Sequence, residues 1–265
     1  MGLSAEQIRA SMDALAAAEP AFAAGLARVG YPPPRLRARG YITLLRTIIG
    51  QQVSVASANA VYRKLESLVG DPGDPHTILA ASDETLRAAG LSRQKAGYAR
   101  SLAEEVTSGR LNLDALPEDD EEAIAQLVRV KGIGRWSAEI YLLFAEGRPD
   151  IWPAGDLAVQ IEVGRLLGHD ARPSEKQVRA LAEAWRPHRG ALAIFTWHHY
   201  GAGPDVDAAP VQTRSLPDKI GQLHLINTDQ CIVGGRGAPR ERGLDDNDSR
   251  YRTSHRSLVA SAAVG

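Results

Sequence analysis

Between Ala5 and Tyr200, apolar residues return at three- and four-residue spacing almost without interruption, and alanine and leucine dominate. That spacing lays apolar side chains along one face of an α-helix, while β-branched runs stay short. The pattern predicts an all-α chain with short turns. It places helices over Tyr41–Ile49, from Ser54 to about Leu68, and over Asp83–Ala89, Ser92–Val106 and Asp120–Val128. Further helices are expected over Arg135–Ala145, Asp156–Leu167, Glu175–Ala184 and His188–Tyr200. Ser4 with Gln7 and Ser174 with Gln177 read as capping boxes. YPPPRLRARG, from Tyr31 to Gly40, cannot be helical, because its prolines lack backbone donors, and it reads as an extended connector.

After Tyr200 the pattern stops. GAGPDVDAAP is a linker by composition, and the remainder of 201–265 scatters Gly, Arg, Asp and Ser without a period, as in a flexible tail. The chain of 265 residues suits one large domain or two small ones. Its formal net charge is -1, so a polyanionic partner must be held by a local basic patch. Arg129, Lys131 and Arg135 form such a patch. The acidic run Glu118–Glu122 upstream of it reads as a solvated helix start that complements the dipole. A single cysteine, Cys231, rules out an internal disulfide and a four-cysteine zinc or iron–sulfur site. The start of the chain lacks the signal-peptide pattern, and no apolar run approaches the roughly 18 residues of a membrane span. The expectation is a cytoplasmic monomer.

The stretch VKGIGRWSAEIY, from Val130 to Tyr141, carries the most chemistry. Two glycines one residue apart, just before a helix, expose successive backbone amides with no side chain in the way. Such a turn is either a plain helix–helix connection or a nest for an anion, and a nucleic-acid phosphate is the obvious guest. Val130, Lys131, Gly132, Ile133, Gly134 and Arg135 would form it, with Ile133 plugged into the core. The carbonyls of Val128, Val130 and Ile133 are candidates to hold a sodium or potassium ion that shares the phosphate. Asp156, after a Pro-Ala-Gly turn, reads as an N-cap.

Leu127 to Gln160 resembles the helix-hairpin-helix DNA glycosylases, in particular the alkylation-repair branch of the 3-methyladenine DNA glycosylase II type. Ile48–Leu65, Leu86–Val106 and Trp185–Tyr200 agree with it, so the resemblance spans roughly residues 5–200. It implies a two-lobed fold with the active-site cleft between the lobes. One lobe would be residues 40–135, and the other 1–39 plus 136–200. It also implies double-stranded DNA as partner and base excision repair as function. No cofactor is implied beyond the ion at the hairpin.

In that family an aspartate about twenty residues past the hairpin, at a helix start, performs the cleavage. Here that position is Asp156. Its anion would stabilise the oxocarbenium-like sugar that forms as the N-glycosidic bond breaks. Bifunctional relatives carry a lysine nucleophile directly after Gly-x-Gly-x, and this chain has Trp136 there. The resemblance thus implies a monofunctional enzyme that uses water and leaves an abasic site. Its substrates would be flipped-out alkylated purines such as 3-methyladenine and 7-methylguanine, whose positive charge an aromatic wall attracts. Trp136, Tyr141 and Trp197 are the wall candidates, each of which could equally be core. The family often has another aromatic where Ile140 stands. Gln51 and Gln52 would supply the wedge that fills the gap left by the flipped base. Arg93 and Lys95 are candidates for phosphate contacts or simple surface solvation. His198 and His199 are adjacent on a helix and face different ways, so they cannot chelate together, and with His188 they read as surface or core-edge residues. Two other readings stay open: a non-catalytic DNA-binding module, and a glycosylase for other damaged bases.

Overall fold

The computed structural model describes residues 2–203, and the expected linker and tail over 201–265 lie almost wholly outside them. Among the described residues every regular element is a helix. The elements are α1 (Ala5–Ala18), α2 (Pro20–Val29), α3 (Tyr41–Gly50), α4 (Val55–Val69), α5 (Pro75–Ala80) and α6 (Asp83–Ala88). There follow α7 (Arg93–Thr107), α8 (Asp120–Leu127), α9 (Arg135–Tyr141), α10 (Leu157–Leu166), α11 (Glu175–Leu181) and α12 (Arg189–Gly201). No described helix is long and apolar enough to cross a membrane.

Most helix starts are closed by a short polar side chain. Ser54, Ser82, Ser92 and Asp119 each accept a first-turn amide, and Ser4 and Ser174 form the two expected capping boxes. Each such cap stabilises its helix by about 1 kcal/mol. The helices α3, α9 and α12 have no side-chain cap, and Gly134 is the residue that opens α9.

Two helices, α2 and α5, are invisible to the periodicity reading. Both begin with proline in the first turn behind an acidic cap: Glu19 accepts from the Ala21 amide at 3.2 Å and Asp74 from that of His76 at 2.9 Å. Proline breaks a helix interior but starts one well, since a first-turn amide has no intrahelical partner to lose. A third difference lies beyond Tyr141. The helix expected to reach Ala145 widens into a π-turn over Leu142–Glu146 and ends on Gly147 at φ 74°. The expected helix over Glu175–Ala184 likewise tightens into a 3-10 turn over Ala182–Trp185.

Helices α3 to α7 pack around one another, with α7 against α3, α5 and α6. Helices α1, α2, α10 and α12 pack as a second group, and α9 meets α8 and α3. Phe22, Phe144, Phe195 and Met12 are wholly buried. The connector between α2 and α3 is extended, as its prolines require. It is tied to the π-turn by an Arg37 amide to Phe144 carbonyl bond of 2.8 Å and an Arg39–Glu146 ion pair of 2.8 Å. The histidines do face different ways: His198 reaches the Val29 carbonyl at 3.0 Å, while His199 lies buried against Glu162 and Arg28.

Candidate active site

Asp156 is the best-held carboxylate among the candidates. It caps α10, and its Oδ1 accepts the amides of Ala158 and Val159, both at 3.0 Å. The same oxygen accepts the Trp197 indole N–H at 3.1 Å, and Oδ2 accepts that of Trp136 at 2.8 Å. The residue is 5% exposed. Four donors converging on one buried carboxylate, two of them backbone amides at a helix start, suit the anion. The turn before it is braced as well: Gln160 Nε2 donates to the Ala154 carbonyl at 2.8 Å, and Arg172 holds Gln160 Oε1 at 3.1 Å.

The three aromatic candidates separate. Trp136 and Trp197 address Asp156 with their indole edges, and Trp197 also packs at 5.6 Å on Phe144. Tyr141 is 3% exposed, and its phenol oxygen accepts the Gly40 amide at 2.8 Å, which fixes the connector at the start of α3. Burial pushes that phenol up to about 12. Ile140 is buried beside it.

The hairpin is built between α8 and α9. Val130 and Ile133 are buried, and the Ile133 amide returns to the Val130 carbonyl at 3.0 Å. Gly132 is obligatory twice over: its φ is +87°, and a Cβ there would stand 2.2 Å from the Tyr98 ring. Gly134 differs. Its backbone, at φ -86° and ψ 171°, would accept any residue, and no atom lies within 4 Å of where a Cβ would be. Open space thus stands over the uncapped start of α9. The Lys131 amide is already taken by Ser101 Oγ at 3.1 Å, while its side chain is exposed.

Two basic residues counted toward the phosphate are engaged elsewhere. Arg135 donates to Glu139 Oε1 at 2.9 Å and to both oxygens of Glu121 at 2.8 and 2.5 Å. Its guanidinium is neutralised by carboxylates, leaving its backbone amide as its offering to the hairpin. Glu121 belongs to the acidic run, which is therefore more than a solvated helix start. Asp120 of the same run pairs with Arg148 at 2.9 Å. Lys95 is half-buried and donates to the Ile49 carbonyl at 2.7 Å, closing the end of α3. Arg93 remains exposed.

Glu139 sits beneath Arg135, and burial pushes its carboxyl up to about 7 against the pull of Arg135 and Arg179.

The loop after α3 turns at Gln52, an exposed residue at φ 57° and the one non-glycine at positive φ among the described residues. Holding glutamine there costs about 1–2 kcal/mol, strain of a kind that collects at functional sites. Gln51 reaches across to the hairpin, its Nε2 donating to the Gly132 carbonyl at 2.7 Å. Loop and hairpin are thereby one unit. Sequence reading missed this bond, the Ser101 bond and the packing of Tyr98 on Gly132, because each joins helices far apart in the chain.

The comparisons with known proteins fit this geometry. Residues 45–187 match the model of the HhH-GPD superfamily base excision DNA repair protein. Schizosaccharomyces pombe DNA-3-methyladenine glycosylase 1 is 32% identical over 161 residues, covering 59% of this chain and 71% of its own. The Bacillus subtilis protein YfjP is 27% identical over 165 residues, of which the chain spans only 58% of the relative's length. A solved structure of the Schizosaccharomyces pombe 3-methyladenine DNA glycosylase in complex with abasic DNA superposes with a TM-score of 0.61. It shares 28% identity and covers 76% of this chain and 99% of that one. With the hairpin, the capped aspartate and this match over more than half its length, the chain belongs to the HhH-GPD superfamily of base excision DNA repair proteins.

Proposed function

We propose that the protein is a monofunctional DNA glycosylase that hydrolyses the N-glycosidic bond of alkylated purines flipped out of duplex DNA. The carrying observation is the buried Asp156 carboxylate, held by two indole N–H groups and two amides at the start of α10. A base alkylated at N3 or N7 is already cationic and leaves readily, so the step that needs help is charge development on the sugar. A preorganised anion supplies that help without reorganising during the reaction. Asp156 also accepts a proton from, or orients, the water that attacks the sugar carbon. Trp136 and Trp197 position the carboxylate, and the partly exposed Trp136 offers apolar surface to the extruded base. No lysine follows the Gly-x-Gly-x turn, which supports water as nucleophile and an abasic site as product.

The hairpin amides hold a backbone phosphate of the duplex, and Gln52 stands where a wedge would enter the stack. Trp136 forms the base-pocket wall, while the buried Trp197 and Tyr141, the latter with its hydroxyl committed to Gly40, support it. The carbonyls of Val128, Val130 and Ile133 are the proposed ligands of a monovalent cation; among the described residues those of Val128 and Ile133 accept no turn or loop amide, which supports that reading, and that of Val130 accepts one. The protein acts on duplex DNA in the cytoplasm, at the nucleoid if the cell is bacterial. The relatives' names, which specify 3-methyladenine, support an alkylated purine as substrate.

The test is a duplex carrying N7-methylguanine, incubated with wild type and with Asp156→Asn. Asparagine caps a helix as well as aspartate does, so the fold should survive. Free base with strand breaks only after alkali, lost by at least about 10³-fold in the variant, is the expected result. Tight duplex binding with no base released from this or a hypoxanthine duplex would favour a DNA-binding module instead. Breaks without alkali would mean a lyase.

A further inference from the structure

Helix α7 presents two faces. Lys95 and Tyr98, three residues apart, meet the end of α3 and the hairpin glycine. Arg93, Gly97 and Arg100 recur at four- and three-residue spacing, which places them together on a different face. There they line a cavity of about 230 Å³ between α6 and α7, with Arg87, Asp83 and Leu91.

Three arginines against one aspartate make the lining net positive. Asp83 is the only carboxylate in its lining, and it is bonded to Arg100 at 2.9 Å. Arg100 is further anchored on the carbonyls of Ile78, Leu79 and Ala81, at 3.4, 3.3 and 2.7 Å, so one wall is rigid. Arg87 and Arg93 are exposed and form no ion pair among the described residues, although Arg87 acts on the neighbouring Glu84 carboxylate, which lies outside the cavity lining. Two guanidinium groups without an ion pair thus share the lining with the fixed Arg100.

Gly97 supplies an independent observation. Glycine in a helix interior is unfavourable, and neither a positive φ nor a close neighbour demands it here, since a Cβ would meet nothing within 4 Å. The bare backbone keeps the cavity open. Pockets for whole drug-sized ligands start at roughly 300 Å³, so this one suits a single group with its ester arm. A fork of guanidiniums binds tetrahedral oxyanions in bidentate fashion.

We propose that the cavity between α6 and α7 is a second phosphate-binding site, built from Arg87 and Arg93 over Gly97, with Arg100 fixing its wall, and separate from the hairpin. It holds one phosphate group, carried either by a nucleic-acid strand or by a free phosphate ester. The inference does not depend on catalysis, and its readouts are binding alone.

Two full-chain variants test it. Gly97→Leu plugs the cavity and leaves every charge in place, and leucine is the better helix former. Gly97→Met replaces it should it melt early. Arg87→Gln/Arg93→Gln removes the charges and leaves the space. Affinity for an undamaged duplex is measured between 50 and 200 mM KCl, beside the rise in Tm given by pyrophosphate at constant ionic strength. If a strand supplies the phosphate, both variants lose roughly 5- to 20-fold in duplex affinity and the salt slope falls by about 1. If a free ester supplies it, duplex binding is unchanged and both variants lose part of the pyrophosphate-induced rise. A plugged variant that matches wild type in both measurements overturns the proposal, even where the arginine variant weakens duplex binding, because the cavity is then not the site.

Discussion

The starts of α9 and α10 are the same physical object put to opposite uses. Each is a helix amino end whose first amides carry partial positive charge. At α10 the chain supplies its own anion: Asp156 fills the end, and two indoles fix the carboxylate from the far side. At α9 the chain supplies nothing. Gly134 has no side chain, no cap bond and open space above it. An end filled internally keeps its anion as a fixed tool, whereas the bare, open end of α9 leaves its amides free for an anion from outside. On the proposed function, that difference of one side chain separates a site for chemistry from a site for docking.

Filling the bare end is the sharpest way to break this comparison. Gly134→Asp places a carboxylate where the backbone already has a cap's extended conformation. The fold should hold or gain up to about 1 kcal/mol in Tm-derived stability. Duplex affinity should fall by roughly 10²- to 10³-fold, read by anisotropy, because the protein's own anion excludes the phosphate. Unchanged affinity would mean the α9 start is only a turn.

Next in size is Gly132→Ala. The added methyl meets the Tyr98 ring at a φ that disfavours any side chain. A loss of about 3 kcal/mol in a denaturant melt is expected, from strain plus overpacking. Gly134→Ala should by contrast be nearly neutral, which separates the glycine that the fold needs from the one that the ligand needs.

At the filled end, Trp197→Phe removes one N–H donor from Asp156 and leaves the other three. Single-turnover base release should fall by about 10- to 100-fold, with duplex binding within a few-fold of wild type. Loss of binding in step with turnover would make the indole a structural prop only.

The smallest effect concerns Glu139, beneath the bare end. Its carboxyl is raised from 4.5 to about 7, chiefly by burial. The folded state therefore holds a proton that the unfolded state has released, and the group's contribution is lost as pH rises from about 4.5 through 7. Glu139→Gln should flatten the pH profile of stability. Relative to wild type, the variant should gain on the order of 1–2 kcal/mol between pH 5 and pH 8. A parallel profile for the two proteins would show that the Arg135 pair, rather than burial, governs this carboxyl.

What the sequence determined by itself was most of what neighbours along the chain decide. Helical spacing, the two capping boxes, the Asp156 cap, the proline connector and the paired glycines all act within about four residues, so all were legible. The resemblance added the importance of Asp156 and the absence of a lysine after the turn. Helices α2 and α5 escaped because a six- to ten-residue helix opened by proline shows too little period to outweigh the breaker. What only the tertiary structure decided was which groups meet. Trp136 and Trp197 reach Asp156 across 20 and 41 residues, and Gln51 reaches Gly132 across 81. Glu121 takes the charge of Arg135 across 14, turning an expected phosphate contact into an internal ion pair. A hydrogen bond or ion pair depends on a few ångströms of separation and an angle, and those come from how whole helices pack rather than from any local pattern of residues.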